Sequence, residues 1–423
     1  MVRLFEHQRQ ALKQTENFNR CAYYLDMGLG KTFVGSEKMI QLDSKINLVV
    51  CQKSKVQDWV EHFKKYYKGP YIGVIDLTAK NAVETITHWN FDFPCVGIIN
   101  YDLIFRRPEL ATLKDFTLML DESSLIQNET SKRSKFILKK LKPENVILLS
   151  GTPTGGKYEK LWSQCRLLGW KISKEAFWSN YVKFNFDDRN GFPMRIVDGY
   201  KNVERLKTKL KEHGAVFMKS EEVFDLPQQI NNKIFVSHTK EYRKFRKDSI
   251  VEFDGKEFVG DTTLTKMLYE RMLCGFANKE KLSAFKDLLQ STDDRLIVFY
   301  NFVNELTELT EILIQNERPF SVVNGETKDL DAYEKYGNSV TLIQYQAGAM
   351  GLNLQKANKI VYFTPPLSSE LFEQSKKRTH RIGQERTCFY YYLICRNSIE
   401  TKIYDTLAVR KNYTEKLFKN EAG

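Results

Sequence analysis

Leu25-Asp26-Met27-Gly28-Leu29-Gly30-Lys31-Thr32 is the stretch that decides how this chain is read. It follows an apolar run, Cys21 to Leu25, and precedes a segment of helical character beginning near Thr32. A strand, a glycine loop and a helix in that order aim successive backbone N–H groups and the positive helix end at a polyphosphate. Gly28 and Gly30 let the backbone approach the phosphates, Lys31 neutralises the β/γ oxygens and Thr32 holds Mg2+, with Met27 and Leu29 completing the loop. The strict eight-residue pattern asks for glycine where Leu25 stands, so the rest of the chain must decide the chemistry.

Phe116-Thr-Leu-Met-Leu120 reads as a buried strand ending in Asp121-Glu122. Two acids at a strand tip behind a phosphate loop are the arrangement that completes a Mg-NTP site: Asp121 would hold the metal shell and Glu122 would orient or deprotonate the attacking water. Val146-Ile-Leu-Leu-Ser-Gly-Thr-Pro153 is a further strand that runs into a hydroxyl-rich loop, where Ser150 and Thr152 are placed to bond those acids and sense the γ-phosphate.

Taken in order, these three segments resemble motifs I, II and III of helicase superfamily two. Gln346-Ala-Gly-Ala-Met-Gly-Leu-Asn-Leu354 and Gln374-Ser-Lys-Lys-Arg-Thr-His-Arg-Ile-Gly-Gln384 resemble motifs V and VI of its sucrose-non-fermenting (Snf) branch, the ATP-driven DNA translocases. The resemblance runs from about Leu4 to Leu407. It implies two RecA-like lobes with parallel sheets, an ATP cleft between them and helical protrusions on both. It also implies that Gly351 of motif V contacts ATP and that Gln374 couples the nucleotide to the rest of the motor. Leu4-Phe-Glu-His-Gln8 resembles the family's adenine-reading element, and an amide can both donate to and accept from an adenine edge, so Gln8 is the candidate base reader.

Arg378 and Arg381, three apart, are expected on one helical face. A cation pair there can stabilise charge developing on a transferring phosphoryl group. A basic run that includes Lys376, Lys377 and His380 is elsewhere a solvated face; the phosphate loop and acid pair favour catalysis here, with Arg381 the first choice as finger and Arg378 the second. The chain departs from the family pattern at Asp121-Glu-Ser-Ser124, where a histidine that couples the ATP site to motif III is replaced by a hydroxyl. It departs again at Gln52, in place of the motif Ia proline, and at Thr364-Pro-Pro-Leu-Ser-Ser369, in place of a Trp-Asn-Pro.

The 423 residues, 42% apolar and 28% charged, suit a globular protein of two domains. A net charge of +12 points to a polyanion, with basic clusters at 132–142, 205–211 and 376–386 as candidate faces. The seven cysteines lack a paired two-residue spacing, which argues against a zinc site or disulfide framework and fits a reducing cytoplasm. Neither a signal peptide nor an apolar stretch long enough to cross a membrane is read.

Apolar strands at 48–51, 96–99, 118–120 and 147–149 alternate with polar helical segments, and a second series follows at 296–300, 320–323, 340–343, 360–363 and 389–394. That rhythm predicts two parallel α/β sheets. The expected domains are lobe 1 over 1–225, with a helical protrusion over about 158–220, a linker at 226–229, and lobe 2 over 230–423, with a helical insertion over about 240–286 and a C-terminal brace helix over about 400–420. The aromatics of the first protrusion are expected to be core.

The reading is an ATP-dependent translocase on duplex DNA, without sequence preference. Two rivals stand beside it: a strand-separating DNA or RNA helicase, and an ATP-switched DNA-binding scaffold that recruits a nuclease or polymerase. The compactness of the chain resembles the short Snf-type proteins of bacteria and their phages, which implies cytoplasmic work in replication, recombination or repair.

Overall fold

The computed structural model describes residues 2–67, 72–187, 194–348 and 352–418. The chain divides into two compact units, Met1–Val223 with Asn412–Gly423, and Phe224–Lys411. The division falls at Val223 and Phe224, whereas the sequence placed a linker at 226–229 and kept the whole tail with the second lobe.

The described residues of unit 1 include nine strands: β1 (Arg20–Leu25), β2 (Ile46–Cys51), β3 (Gly73–Asp76), β4 (Cys95–Asn100), β5 (Phe116–Asp121), β6 (Asn145–Leu149), β7 (Val182–Asp187), β8 (Met194–Tyr200) and β9 (Ala215–Met218). Seven form one parallel sheet in the order β3-β4-β2-β5-β6-β1-β9. The central strands are buried on both faces, which is why they read as unbroken apolar runs. The edge strands were harder to see. β3 is half-buried at each of its four positions, and β9 enters the sheet directly after Gly214, whose φ of +79° and close approach to the Arg20 carbonyl suit glycine alone.

The first protrusion is not all helical. Helices at Trp162–Leu167, Lys174–Tyr181 and Val203–Glu212 are interrupted by the antiparallel ribbon β7–β8, because Val182, Phe184 and Phe186 recur at a period of two rather than 3.6. Its aromatics are core: Phe177 and Tyr181 are buried, and Trp162, Trp170 and Trp178 pack against them. The tail joins the same cluster, with Tyr413 lending its carbonyl to the Tyr158 hydroxyl.

Unit 2 continues with β10 (Gln229–Val236), β11 (Ile250–Phe253), β12 (Lys256–Val259), β13 (Leu296–Tyr300), β14 (Phe320–Val323), β15 (Val340–Gln344), β16 (Lys359–Tyr362) and β17 (Cys388–Cys395). Six of these form a parallel sheet in the order β10-β17-β16-β13-β15-β14. Gln229, expected in a linker, opens the edge strand β10, whose residues alternate between exposed and half-buried because only one side meets the core. The insertion also contains a hairpin. Ser249 in the left-handed region ends helix Lys240–Asp248, and Asp254-Gly255, both at positive φ, close the two-residue turn between β11 and β12. Side chains of Thr239, Thr262 and Asn278 cap the three helices there.

Apolar clusters line both faces of the second sheet. The last helix, Ile399–Phe418, is pinned to unit 2 by a fully buried ion pair between Glu400 and Lys281 at 2.6 Å. Losing one partner would strand the other as a buried charge. All seven cysteines are free and buried. Among the described residues no helix is long and apolar enough to cross a membrane.

Candidate functional site

In a parallel sheet every strand ends at the same edge, and ligands bind there. The order β5-β6-β1 therefore sets the acid pair, the hydroxyl loop and the glycine loop side by side, with β1 and β5 two strand spacings, about 10 Å, apart. The hydroxyl loop lies between the other two.

The glycine loop runs from β1 into helix α2 (Lys31–Gln41), whose N-terminus carries no side-chain cap. Gly28 and Gly30 have φ of +88° and +74°. At Gly30 the need for glycine is double, since a Cβ would fall 2.1 Å from Gln8 Nε2. Carbonyls of the loop point into the protein: Met27 O accepts from Ser220 Oγ, and Leu29 O lies within reach of His7 Nε2 and Gln8 Nε2. Lys31 Nζ folds back on the Leu25 and Asp26 carbonyls at 3.0 and 3.4 Å. Gly151 of the hydroxyl loop passes so close that an added Cβ would sit 3.3 Å from that ammonium. Gln8 stands behind the loop, 4% exposed, with its amide engaged at both ends: Nε2 on Leu29 O and Oε1 receiving the Phe5 N–H at 2.9 Å.

The acids are held by groups that the motif reading did not include. Asp121 Oδ2 accepts the indole N–H of Trp59 at 2.9 Å, and Tyr101 donates its hydroxyl to the Asp121 carbonyl at 2.9 Å. Burial pushes the Asp121 carboxyl above its ordinary pKa, opposed first by the Trp59 bond and then by Lys31 and Lys55. Glu122 adopts φ +52°, a left-handed conformation that costs a non-glycine residue about 1 kcal/mol. Ser150 donates to Glu122 Oε2 at 3.2 Å, so motif III and the acid pair are in contact as expected for that serine. The Thr152 hydroxyl is buried without a partner among the described residues, although its backbone N–H is bonded to Ser150 Oγ.

A buried hydroxyl lacking a partner, a desolvated carboxylate and an uncapped helix end are what a phosphate with its cation would satisfy. The residues present therefore fit Mg-ATP.

Gln164 is a third residue without a motif to announce it. It is fully buried; its Oε1 accepts from Ser123 at 2.8 Å and Tyr24 at 3.0 Å, and its Nε2 donates to Pro153 O at 2.8 Å. The amide thus ties the acid segment to the Ser-Gly-Thr-Pro loop, at the place where the family histidine is missing. Gln164→Leu removes the acceptor of the Ser123 and Tyr24 hydroxyls and leaves the Pro153 carbonyl with the 3.4 Å bond from Gln127, and should cost about 2–4 kcal/mol of stability, read as a lower urea midpoint.

In unit 2, the helix Ser369–Lys376 stops before both arginines. The expected shared helical face is therefore corrected: Arg378 and Arg381 lie in the turns that follow. Gln384 causes this, since its Nε2 collects the carbonyls of Gln355, Ala357 and Thr379 and folds the segment across, with Gly383 at φ +89°. Arg378 is 4% exposed and directs Nη1 toward Leu352 O, while Arg381 reaches the Asn353 side chain. Burial pulls the Arg381 guanidinium below its ordinary pKa. Gln374 is buried and contacts Glu370. His380 approaches Pro227 O at 2.9 Å, so it and Arg378 are turned inward while Lys376 and Lys377 beside them are half-buried. Gly351 lies outside the described residues.

A glycine loop opens a helix at the edge of one parallel sheet, and a second parallel sheet follows it in sequence, which places the chain in the two-sheet α/β class. The chain belongs to the SNF2-related family: the SNF2-related domain matches residues 11–285, and the helicase conserved C-terminal domain matches 280–383. An uncharacterized ATP-dependent helicase of Mycoplasma pneumoniae is 23% identical over 92% of this chain and 39% of its own length. A mouse SWI/SNF-related matrix-associated actin-dependent regulator of chromatin, subfamily A member 1, is 23% identical over 91% of this chain and 40% of its own. The chain thus spans about two fifths of these relatives. Among solved structures, the Sulfolobus solfataricus SWI2/SNF2 ATPase core in complex with dsDNA is 20% identical, with a TM-score of 0.47 over 98% of this chain and 92% of that one. The bacterial and mouse relatives lend no support to a bacteriophage setting.

Proposed function

We propose that the chain is a DNA-dependent ATPase that moves along duplex DNA without sequence preference. The observation that carries this reading is the alignment of Lys31, the Asp121-Glu122 pair and the Ser150 loop along one sheet edge, in a member of the SNF2-related family with a net charge of +12. In this reading Gly28, Gly30 and Lys31 cradle the phosphates, Glu122 orients the attacking water, and Ser150 and Thr152 report the state of the γ-phosphate to the neighbouring loop. Thr32 and Asp121 would hold Mg2+, which when bound would offset the charge of the phosphates. Arg381, seconded by Arg378, stabilises the transferring phosphoryl group. Gln8 reads the base by releasing one end of its amide from Leu29 or Phe5. Gln374 and Gly351 support the coupling and nucleotide contacts of the second unit. The division into two motor lobes joined near Phe224 is part of the same proposal, as are a cytoplasmic setting and work in replication, recombination or repair.

ATPase rates measured in parallel without nucleic acid and with single-stranded, duplex and forked DNA and with RNA test the assignment. Duplex DNA should stimulate most, with a rate that rises with duplex length, and a third strand should be displaced from a triplex while the underlying duplex stays paired. Binding that contacts about 5 phosphates should weaken with salt at a log–log slope of about −4 to −5. Stimulation confined to single strands, with efficient opening of forks, would convert the reading to a strand-separating helicase.

A further inference from the structure

Asp121 offers two carboxylate oxygens, and one is already taken. The indole N–H of Trp59 donates to Oδ2 at 2.9 Å, from helix α3 (Val56–Tyr66), which lies outside the loop and strand segments assigned to the site. Among the described residues no other side chain is hydrogen-bonded to that carboxylate. The bond ties the carboxylate through one of its two oxygens.

Trp59 is itself immobilised. It is 3% exposed, stacked on Phe63 with ring centroids 5.8 Å apart, and meets His62 edge-on at 5.5 Å. His62 then reaches the phosphate-loop helix, with Nε2 3.0 Å from Ser36 Oγ, and the Ser36 hydroxyl donates to Thr32 O at 2.9 Å. Because the serine proton is committed to Thr32, the imidazole nitrogen is the donor in that contact. One continuous chain of contacts therefore joins Thr32 to Asp121, the two residues assigned to the cation. Partners of this kind orient a metal site from behind, and their loss typically costs about 10–100-fold in metal affinity.

We propose that Trp59 is a positioning residue for the divalent cation, holding Asp121 so that its second oxygen is presented to the metal shell. The proposal rests on the assignment of Asp121 and Thr32 made above. Calorimetric titration of the full chain with ADP, with and without Mg2+, reads the effect without recourse to turnover. Trp59→Phe removes the N–H and retains an aromatic ring. Site-specific replacement of the indole by benzothiophene removes the N–H with the shape unchanged, and covers the case in which phenylalanine disturbs packing.

Both variants should bind metal-free ADP as the unmodified chain does, while half-saturating Mg2+ rises about 10–100-fold. An unchanged Mg2+ midpoint in the benzothiophene form would overturn the positioning role and leave the metal site standing. Loss of metal-free ADP affinity in that form would mark Trp59 as structural only, and would overturn the role as well. If the unmodified chain bound ADP with no dependence on Mg2+, the assignment of Asp121 and Thr32 would fail, and this proposal with it.

Discussion

Glu122→Gln is expected to leave ATP bound and to slow its hydrolysis by about 10²–10⁴-fold, the range a positioned general base contributes. The amide has the outline of the carboxylate and can still accept from Ser150, which lies 3.2 Å from Oε2. The left-handed backbone at this position bears glutamine no worse than glutamate. What is lost is the charge that takes up or orients the water proton. Single-turnover hydrolysis measured beside the ATP dissociation constant separates the two quantities. Equal hydrolysis by the variant and the unmodified chain would remove Glu122 from the mechanism.

Arg381→Ala should show the same pattern from the other unit. A finger's contact strengthens chiefly as charge develops in the transition state, so its removal should spare binding and lower kcat by a factor of about 10³. In the structure the guanidinium rests on the Asn353 side chain, a neutral partner that it can exchange for a phosphate without breaking an ion pair. If nucleotide affinity collapsed while bound ATP turned over normally, Arg381 would be a ground-state ligand. Arg378, 4% exposed and directed toward Leu352 O, has less freedom to move, which is why the larger effect is assigned to Arg381.

The parts of the fold visible in the sequence are those where burial on both faces forces an unbroken apolar run. β2, β4, β5 and β6 are of that kind, as are β13, β15 and β16, and the rhythm of these strands was enough to indicate two parallel sheets. Three of the four edge strands escaped: β3 has two strongly apolar residues, β9 is a run of only four residues behind a polar helix, and Gln229-Ile-Asn-Asn-Lys opens β10 with the composition of a loop. The two hairpins were absorbed into helical protrusions, although Asp254-Gly255 is a turn signal that could have revealed β11–β12. At the site, the glycine loop and acid pair are local patterns and could be read directly. Trp59, Tyr101 and Gln164 act across 62, 20 and 41 residues of chain respectively, and no spacing in one sequence announces such contacts. Arg378 and Arg381 were found by composition and misplaced by periodicity, because the end of their helix is set by Gln384 collecting distant carbonyls.

The burial of all seven cysteines has a practical use for anyone wishing to watch this enzyme work. Thiol reagents need an accessible thiolate. Even Cys395, which Cys274 pulls below the usual thiol range, has no exposed surface. These cysteines should therefore react little with maleimide dyes in the folded chain. Single new thiols at exposed sites, such as Lys114→Cys in one unit and Glu326→Cys in the other, would be the only sulphurs within reach. A donor and acceptor placed there would follow the separation of the two units through successive ATP turnovers, with none of the native cysteines replaced.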